Sequence, residues 1–189
     1  MRTASFSTKP LLFRFMKKVM AIVGSLSARS SNHSVIEHIR AASANRLDIK
    51  LYDGLRDLPH FNPDLDTDDP PEEVKVLRKI IRESDGVLIS TPEYIFGVPG
   101  ALKNAIDWTV SSADFLDKPV ALITASSAGE KAHDSLLLTL RTVDAVIGED
   151  AAVLISHVRA KLDADRKIKH PETIEKLDRL IASFIHIMN

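Results

Sequence analysis

Along the chain, short uninterrupted apolar runs alternate with stretches in which apolar residues recur at helical spacing. Val19-Met20-Ala21-Ile22-Val23 stops at Gly24, Val87-Leu88-Ile89 stops before Thr91, and Val120 to Ile123 and Ala152 to Ile155 repeat the pattern. Runs of this length without polar alternation suit strands buried on both faces of a parallel sheet. Leu47, Ile49 and Leu51 instead alternate with Asp48, Lys50 and Tyr52, which predicts a strand nearer an edge. Helical patterns fill the gaps. Ser34 to Ala44 carries Val35, Ile36 and Ile39, with Asn32 or Ser31 available as its cap. Asp69-Pro70-Pro71-Glu72 predicts a capped helix start, and Val74, Leu77, Ile80 and Ile81 share one face as far as Glu83. Helices over Gly100 to Val110 and Ala132 to Ile147 follow. From Pro171, a stripe of Ile174, Leu177, Leu180, Ile181, Phe184 and Ile185 marks the last.

Five strands alternating with five helices imply an α/β fold, because parallel strands need right-handed crossovers. The expected architecture is a doubly wound, five-stranded parallel sheet of order 2-1-3-4-5. Ligands of such sheets sit beyond the carboxyl ends of the strands, where the strand order reverses. Attention therefore falls on the loops after strands one, three and four. At 189 residues the chain suits one domain, taken as residues 16–189. Residues 1–15 are basic, and their apolar patch Leu11-Leu12-Phe13 is broken by Arg14. They are expected to be a disordered extension or the result of an upstream start codon ahead of Met16.

Charge and composition narrow the function. The 25 Lys plus Arg balance 26 Asp plus Glu, so no basic field is present to hold a nucleic-acid backbone. With no cysteine there is no disulfide scaffold, thiolate metal site or Cys nucleophile, so redox chemistry would need a bound cofactor. No apolar run approaches the roughly 20 residues that span a bilayer, and a cytoplasmic protein acting on small molecules is expected. The seven histidines show no metal-ligand spacing, although His33 adjoins the first loop. Asp64, Asp66, Asp68 and Asp69 lack the glycine and terminal glutamate of a calcium loop, and no Gly-x-Ser-x-Gly elbow exists.

The first loop, Gly24-Ser25-Leu26-Ser27-Ala28-Arg29-Ser30-Ser31-Asn32, places hydroxyls and free backbone N–H groups at the start of a helix. That is a phosphate cradle in outline. It has one glycine and no lysine, so it matches neither the Walker loop nor the dinucleotide fingerprint. Serines at such a place also serve as plain helix caps. The second loop opens the string Thr91-Pro92-Glu93-Tyr94-Ile95-Phe96-Gly97-Val98-Pro99-Gly100-Ala101-Leu102-Lys103-Asn104-Ala105-Ile106-Asp107-Trp108. Its prolines and glycines stiffen a turn that can hold Tyr94 and Phe96 at the rim of the sheet, against a flat ring.

This string, with Gly-Ser-Leu, Ser30 and Asn32, closely resembles the NADPH-dependent FMN reductase family, which includes chromate and quinone reductases and azoreductase-like members. The resemblance covers Lys18 to Ile155 and implies a flavodoxin-like fold. It further implies FMN as cofactor, NADPH or NADH as co-substrate, and a flavin, quinone or similar acceptor. An electron carrier or flavin-binding sensor without its own nicotinamide turnover is the alternative. By the same resemblance, Ser25, Ser30 and Asn32, with Ser27 and Arg29 beside them, would bind the FMN phosphate. Pro92, Glu93, Tyr94 and Ile95 would line the flavin ring, and Ser126, Ser127 and Gly129 of the third loop would approach it. No side chain is expected to act as an acid or base. Family members usually assemble as dimers or tetramers, so a homodimer or homotetramer is implied.

The chain departs from the family in three places. Ser27 stands where an arginine commonly follows Gly-Ser-Leu, with Arg29 close enough to substitute, and Ile95 stands where a polar residue commonly follows the tyrosine. The third loop, Ser126-Ser127-Ala128-Gly129-Glu130-Lys131-Ala132, lacks the usual paired glycines. Cβ atoms at Glu130, Lys131 and Ala132 would then crowd the flavin and weaken its binding.

Overall fold

The computed structural model describes residues 16–189. The expected extension, residues 1–15, lies outside them. Five strands, β1 (Lys17–Val23), β2 (Leu47–Tyr52), β3 (Gly86–Thr91), β4 (Val120–Ala125) and β5 (Ala152–Ile155), form one sheet in the order β2-β1-β3-β4-β5. Every pairing is parallel. β3 and β4 are buried along their whole length, as their unbroken apolar runs require, whereas the alternating β2 takes an edge.

Helices α1 (Ser31–Ala42) and α5 (Pro171–Ile187) cover one face of the sheet. Helices α2 (Glu72–Glu83), α3 (Gly100–Asp107) and α4 (Glu130–Thr142) cover the other. Val35, Ile36 and Ile39 of α1 meet Leu180, Ile181 and Phe184 of α5 across Val19, Ala21 and Ile123. On the opposite face, Val74, Leu77 and Ile81 of α2 pack with Leu102 and Ile106 of α3 over Met20, Ile22 and Ile89. Among the described residues no helix is long and apolar enough to cross a membrane.

Helix ends differ from the sequence reading where a competing partner decides them. α1 starts at Ser31 rather than Ser34, because Ser30 is the cap and its Oγ accepts from the Asn32 N–H at 3.3 Å. α2 starts at Glu72 with Pro71 at the cap position and no side-chain cap. Asp69, expected there, instead pairs with Lys75 at 2.5 Å. α3 stops at Asp107, and turns with positive φ at Ala113 and Asp117 carry the chain to β4. α4 stops at Thr142 rather than Ile147. The apolar residues beyond it run back beside the start of β4, where the Val120 N–H donates to the Val146 carbonyl at 2.8 Å.

A buried charge network anchors the segment after α3. Arg78 donates to the Trp108 carbonyl through Nε at 2.8 Å and Nη2 at 2.6 Å, and to Asp66 Oδ1 at 2.6 Å. Asp114, whose side chain is fully buried, accepts from Arg82 Nε at 2.6 Å. Removing one partner of a buried pair strands the other in a low-dielectric site. Asp66→Ala, which takes the 2.6 Å carboxylate partner from the buried Arg78, should therefore lower the free energy of unfolding by about 3 kcal/mol, read from urea denaturation. A loss within a few tenths of that of an exposed control such as Glu83→Ala would show that the network carries no stability.

Candidate functional site

The loops after β1, β3, β4 and β5 converge at the carboxyl edge of the sheet and enclose a cleft of about 380 Å³. The first wall starts at Gly24, whose N–H donates to the Ser90 carbonyl at 2.9 Å. A Cβ at Gly24 would overlap Thr91 Oγ1 and approach Leu102 Cδ2 to 2.9 Å, so only glycine lets the loop leave β1 this close to β3. Ser25, Ser27, Arg29, Ser30 and Asn32 all line the cleft from this wall. Ser25 Oγ pairs with the Tyr94 hydroxyl at 2.8 Å and accepts from the Ser27 N–H at 3.3 Å. The first turn of α1 holds no acidic residue, so the helix dipole presents uncompensated positive potential to the cleft.

Asn32 is 1% exposed, and its side-chain amide is fully engaged. Nδ2 donates to the Ala125 carbonyl at 3.1 Å and to Ser30 Oγ at 3.3 Å, while Oδ1 accepts from Ser90 Oγ at 2.8 Å. Asn32, one of the residues expected at the phosphate, lines the cleft, and its side chain braces Ser30.

Pro92, Glu93 and Tyr94 form the second wall. The Glu93 N–H donates to Ser126 Oγ at 3.2 Å, and its carboxylate accepts from the Ala132 N–H at 2.9 Å. Gly129, at the cap position of α4, supplies no capping side chain. The second loop thus caps the helix that follows the third, which fixes their spacing. Tyr94 and Gly97 exchange backbone hydrogen bonds at 3.0 Å around Ile95 and Phe96, both at positive φ. Ile95 does not line the cleft: it is 99% exposed, and Phe96 is 75% exposed.

Ser126 and Ser127 line the third wall, but Gly129 does not. At φ +118 it lies buried against Leu154 and Thr124, so it turns the chain into α4 behind the cleft. Glu130 and Lys131 are exposed residues of the first turn of α4, Ala132 is buried there, and none of the three lines the cleft. The expected crowding by their Cβ atoms therefore has no counterpart in this geometry. His33 also falls outside the cleft lining.

The fourth wall escaped sequence reasoning. His157, Val158, Arg159 and Ala160 line the cleft after β5, and Arg166 from the following hairpin donates to the Arg29 carbonyl at 2.8 Å. The only signal was a basic pair, His157 and Arg159, just past a buried strand. Behind the cleft, Thr124 Oγ1 pairs with His133 Nδ1 at 3.0 Å. Among the described residues no group of His, Asp and Glu is arranged to hold a metal.

The hydroxyls, helix start and flanking arginines suit a phosphate, and the second and third walls, joined by the Glu93 N–H to Ser126 Oγ bond, form one side of the cleft. Residues 17–160 match the family model described as NADPH-dependent FMN reductase. NADH-dependent flavin reductase subunit 2 of Lactobacillus johnsonii is 31% identical over 181 residues, covering 89% of this chain and 95% of the relative. The quinone reductase of Escherichia coli is 30% identical over 168 residues, covering 86% of each. Among solved structures, FerB, a flavoenzyme NAD(P)H:(acceptor) oxidoreductase from Paracoccus denitrificans, superposes with a TM-score of 0.75 at 31% identity. That superposition covers 92% of this chain and 97% of FerB.

Two outcomes follow from these contacts. Glu93→Ala should cost about 1 kcal/mol in unfolding free energy by uncapping α4, and Glu93→Gln, which keeps an acceptor oxygen, should cost less. Equal losses in urea titrations would remove the cap as the cause. Burial pushes the His133 pKa below its usual 6.5, with Asp134 opposing. The unfolded chain then takes up the proton first, so this contribution to stability is present above pH 6.5 and is lost as pH falls. Stability measured on acidification should decline less steeply in His133→Gln, and parallel declines would contradict the assignment.

Proposed function

The chain belongs to the NADPH-dependent FMN reductase family, and from that premise we propose that the cleft holds FMN for electron transfer from NADH or NADPH to a flavin or quinone acceptor. The observation that carries this reading is the convergence of ten of the twelve expected residues, all but Ile95 and Gly129, on one cleft. The chemistry supplied by FMN when bound is hydride acceptance from a nicotinamide and electron donation to a second substrate.

The protein's part is placement. Ser25, Ser27 and Ser30 offer hydroxyls, and the amides at the start of α1 offer N–H donors, to a phosphate dianion. Arg29 and Arg159 supply the countercharge, while Asn32 holds Ser30 in register. Pro92 to Tyr94 and Ser126 to Ser127 bound the ring, and the open side of the cleft admits nicotinamide and acceptor in turn. Hydride transfer itself moves no proton through the protein, and the one proton that completes reduction of the acceptor comes from water at the open side of the cleft. The reading extends to a cytoplasmic homodimer or homotetramer. Support for assembly comes from the apolar tip of Ile95 and Phe96 beside the cleft, exposed along with Leu26, Val110 and Leu116.

Ser30→Ala and Ser25→Ala should each weaken FMN binding by roughly ten- to a hundred-and-fifty-fold, since hydrogen bonds to a charged group contribute about 1.5–3 kcal/mol. Riboflavin, which lacks the phosphate, should lose far less in the same fluorescence titrations. Equal losses for both ligands would misplace the phosphate. A flavin-loaded protein that oxidises neither NADH nor NADPH with added FMN or quinone would overturn the enzyme reading in favour of an electron carrier.

A further inference from the structure

A second concavity, about 590 Å³ and larger than the cleft, opens between the edge strand β2 and helix α2. It shares no lining residue with the cleft. Glu73, Val76, Ile80 and Glu83 follow one another along one face of α2 and form its wall. Val76, 43% exposed, and Ile80 make the middle of that wall apolar. A cavity of several hundred Å³ is of the size that holds a small molecule.

The two ends of the groove differ in how their charges are met. At one end Lys18 and Asp48 are register partners, Asp48 pairs with Lys50 at 3.8 Å, and Glu83 pairs with Lys79 at 3.9 Å. At the other end Asp57, Asp53 and Glu73 lie near the Tyr52 hydroxyl, and none of the three forms an ion pair among the described residues. Tyr52 is 9% exposed, and its hydroxyl lies against Gly54, where a Cβ would come within 2.7 Å of it. Among the described residues this hydroxyl has no hydrogen-bond partner, unlike that of Tyr94, the one other tyrosine, which pairs with Ser25. Buried tyrosine hydroxyls ordinarily have one. Burial first, and Asp57, Asp53 and Glu73 next, push its pKa up to about 12, so it stays protonated and keeps its lone pairs for a donor. The carboxylates set the charge of that donor as positive. Among the described residues no group of His, Asp and Glu is arranged to hold a metal, which leaves an organic cation.

We propose that this groove binds a small organic ammonium ion with an apolar body. Its N–H groups donate to the Tyr52 hydroxyl and to Asp53, Asp57 and Glu73, and its body lies on Val76 and Ile80. Charge and shape are both required. A bare ammonium gains only the screened attraction of exposed carboxylates, and a neutral molecule leaves those carboxylates unmatched. Because the groove and the cleft have no residue in common, occupancy of one does not require the other.

The two tyrosines give each cavity its own reporter. In full-length protein labelled with 3-fluorotyrosine, 2-phenylethylamine should move the fluorine resonance of Tyr52, assigned by its loss in Tyr52→Phe, and leave that of Tyr94 in place. 2-Phenylethanol, of the same shape but neutral, should bind about tenfold more weakly, because hydrogen bonds to a charged group are the stronger ones. Methylamine, which has the charge without the body, should also lose about tenfold or more. Glu73→Gln should weaken the amine by about fivefold and leave the alcohol unchanged, a pattern that misfolding could not give. Equal affinities for amine and alcohol would overturn the proposal, as would a Tyr52 resonance that does not move. Movement of the Tyr94 resonance alone would also overturn it, by putting the cation in the cofactor cleft.

Discussion

One buried amide sets the geometry on which the cleft depends. Asn32 ties the first turn of α1 to the ends of β3 and β4 at once, through Ser30, Ser90 and the Ala125 carbonyl. Its bonds to Ser90 and to the Ala125 carbonyl are made out of water, where a broken partner leaves an unsatisfied polar group costing about 1–3 kcal/mol. The three elements consequently hold one relative position. The phosphate wall, which sits on α1, is thereby referenced to the strands whose loops bound the ring. Gly24 enforces the same closeness from the backbone side, since no larger residue fits between β1's exit and Thr91.

The most recognisable part of the sequence serves architecture more than ligand contact. In the string that runs from Leu102 to Trp108, Leu102 and Trp108 are fully buried. Asn104 accepts from the Phe61 N–H at 2.7 Å and donates to the Pro59 carbonyl at 2.9 Å. Trp108 Nε1 donates to the same carbonyl at 2.8 Å, with Phe61 packed edge-on at 5.1 Å. These side chains staple the long loop after β2 onto α3. Glu93 likewise spends its carboxylate on the start of α4. The family is thus recognised through the residues that hold the walls apart, while the groups facing the cleft are mostly ordinary serines and backbone.

This distinction explains what was legible in the sequence. Strands buried on both faces leave unbroken apolar runs, so the strands could be counted directly, and their order followed from the doubly wound arrangement that suits five strands alternating with helices. The ends of helices could not. Whether Ser30, Ser31 or Asn32 caps α1 depends on Asn32 being drawn inward by Ser90 and Ala125, a tertiary event with no local signature. Val143 to Ile147 continue an apolar pattern past α4, yet Val146 pairs with Lys118 and Val120 at the start of β4. In the site, three of four walls follow from the rule that ligands gather at the strand ends. Arg159 and His157 went unseen because nothing local separates them from ordinary surface residues. Ile95 and Gly129 sit in the right loops, but one points to solvent at positive φ and the other backs onto Leu154.

The four walls also have a bearing on folding. They come from segments spread from Ser25 to Ala160, carried by four different strands. No fragment of the chain, and no collapsed intermediate lacking the β3 to β4 and β4 to β5 pairings, contains the cleft. A ligand held there discriminates completely between native and unfolded chains, and its binding free energy adds to stability by mass action. Saturation to a hundred times the dissociation constant contributes about 2.7 kcal/mol, a sizeable share of the 5–15 kcal/mol typical of a domain. The abundance of the folded protein is in this way tied to the supply of whatever fills the cleft.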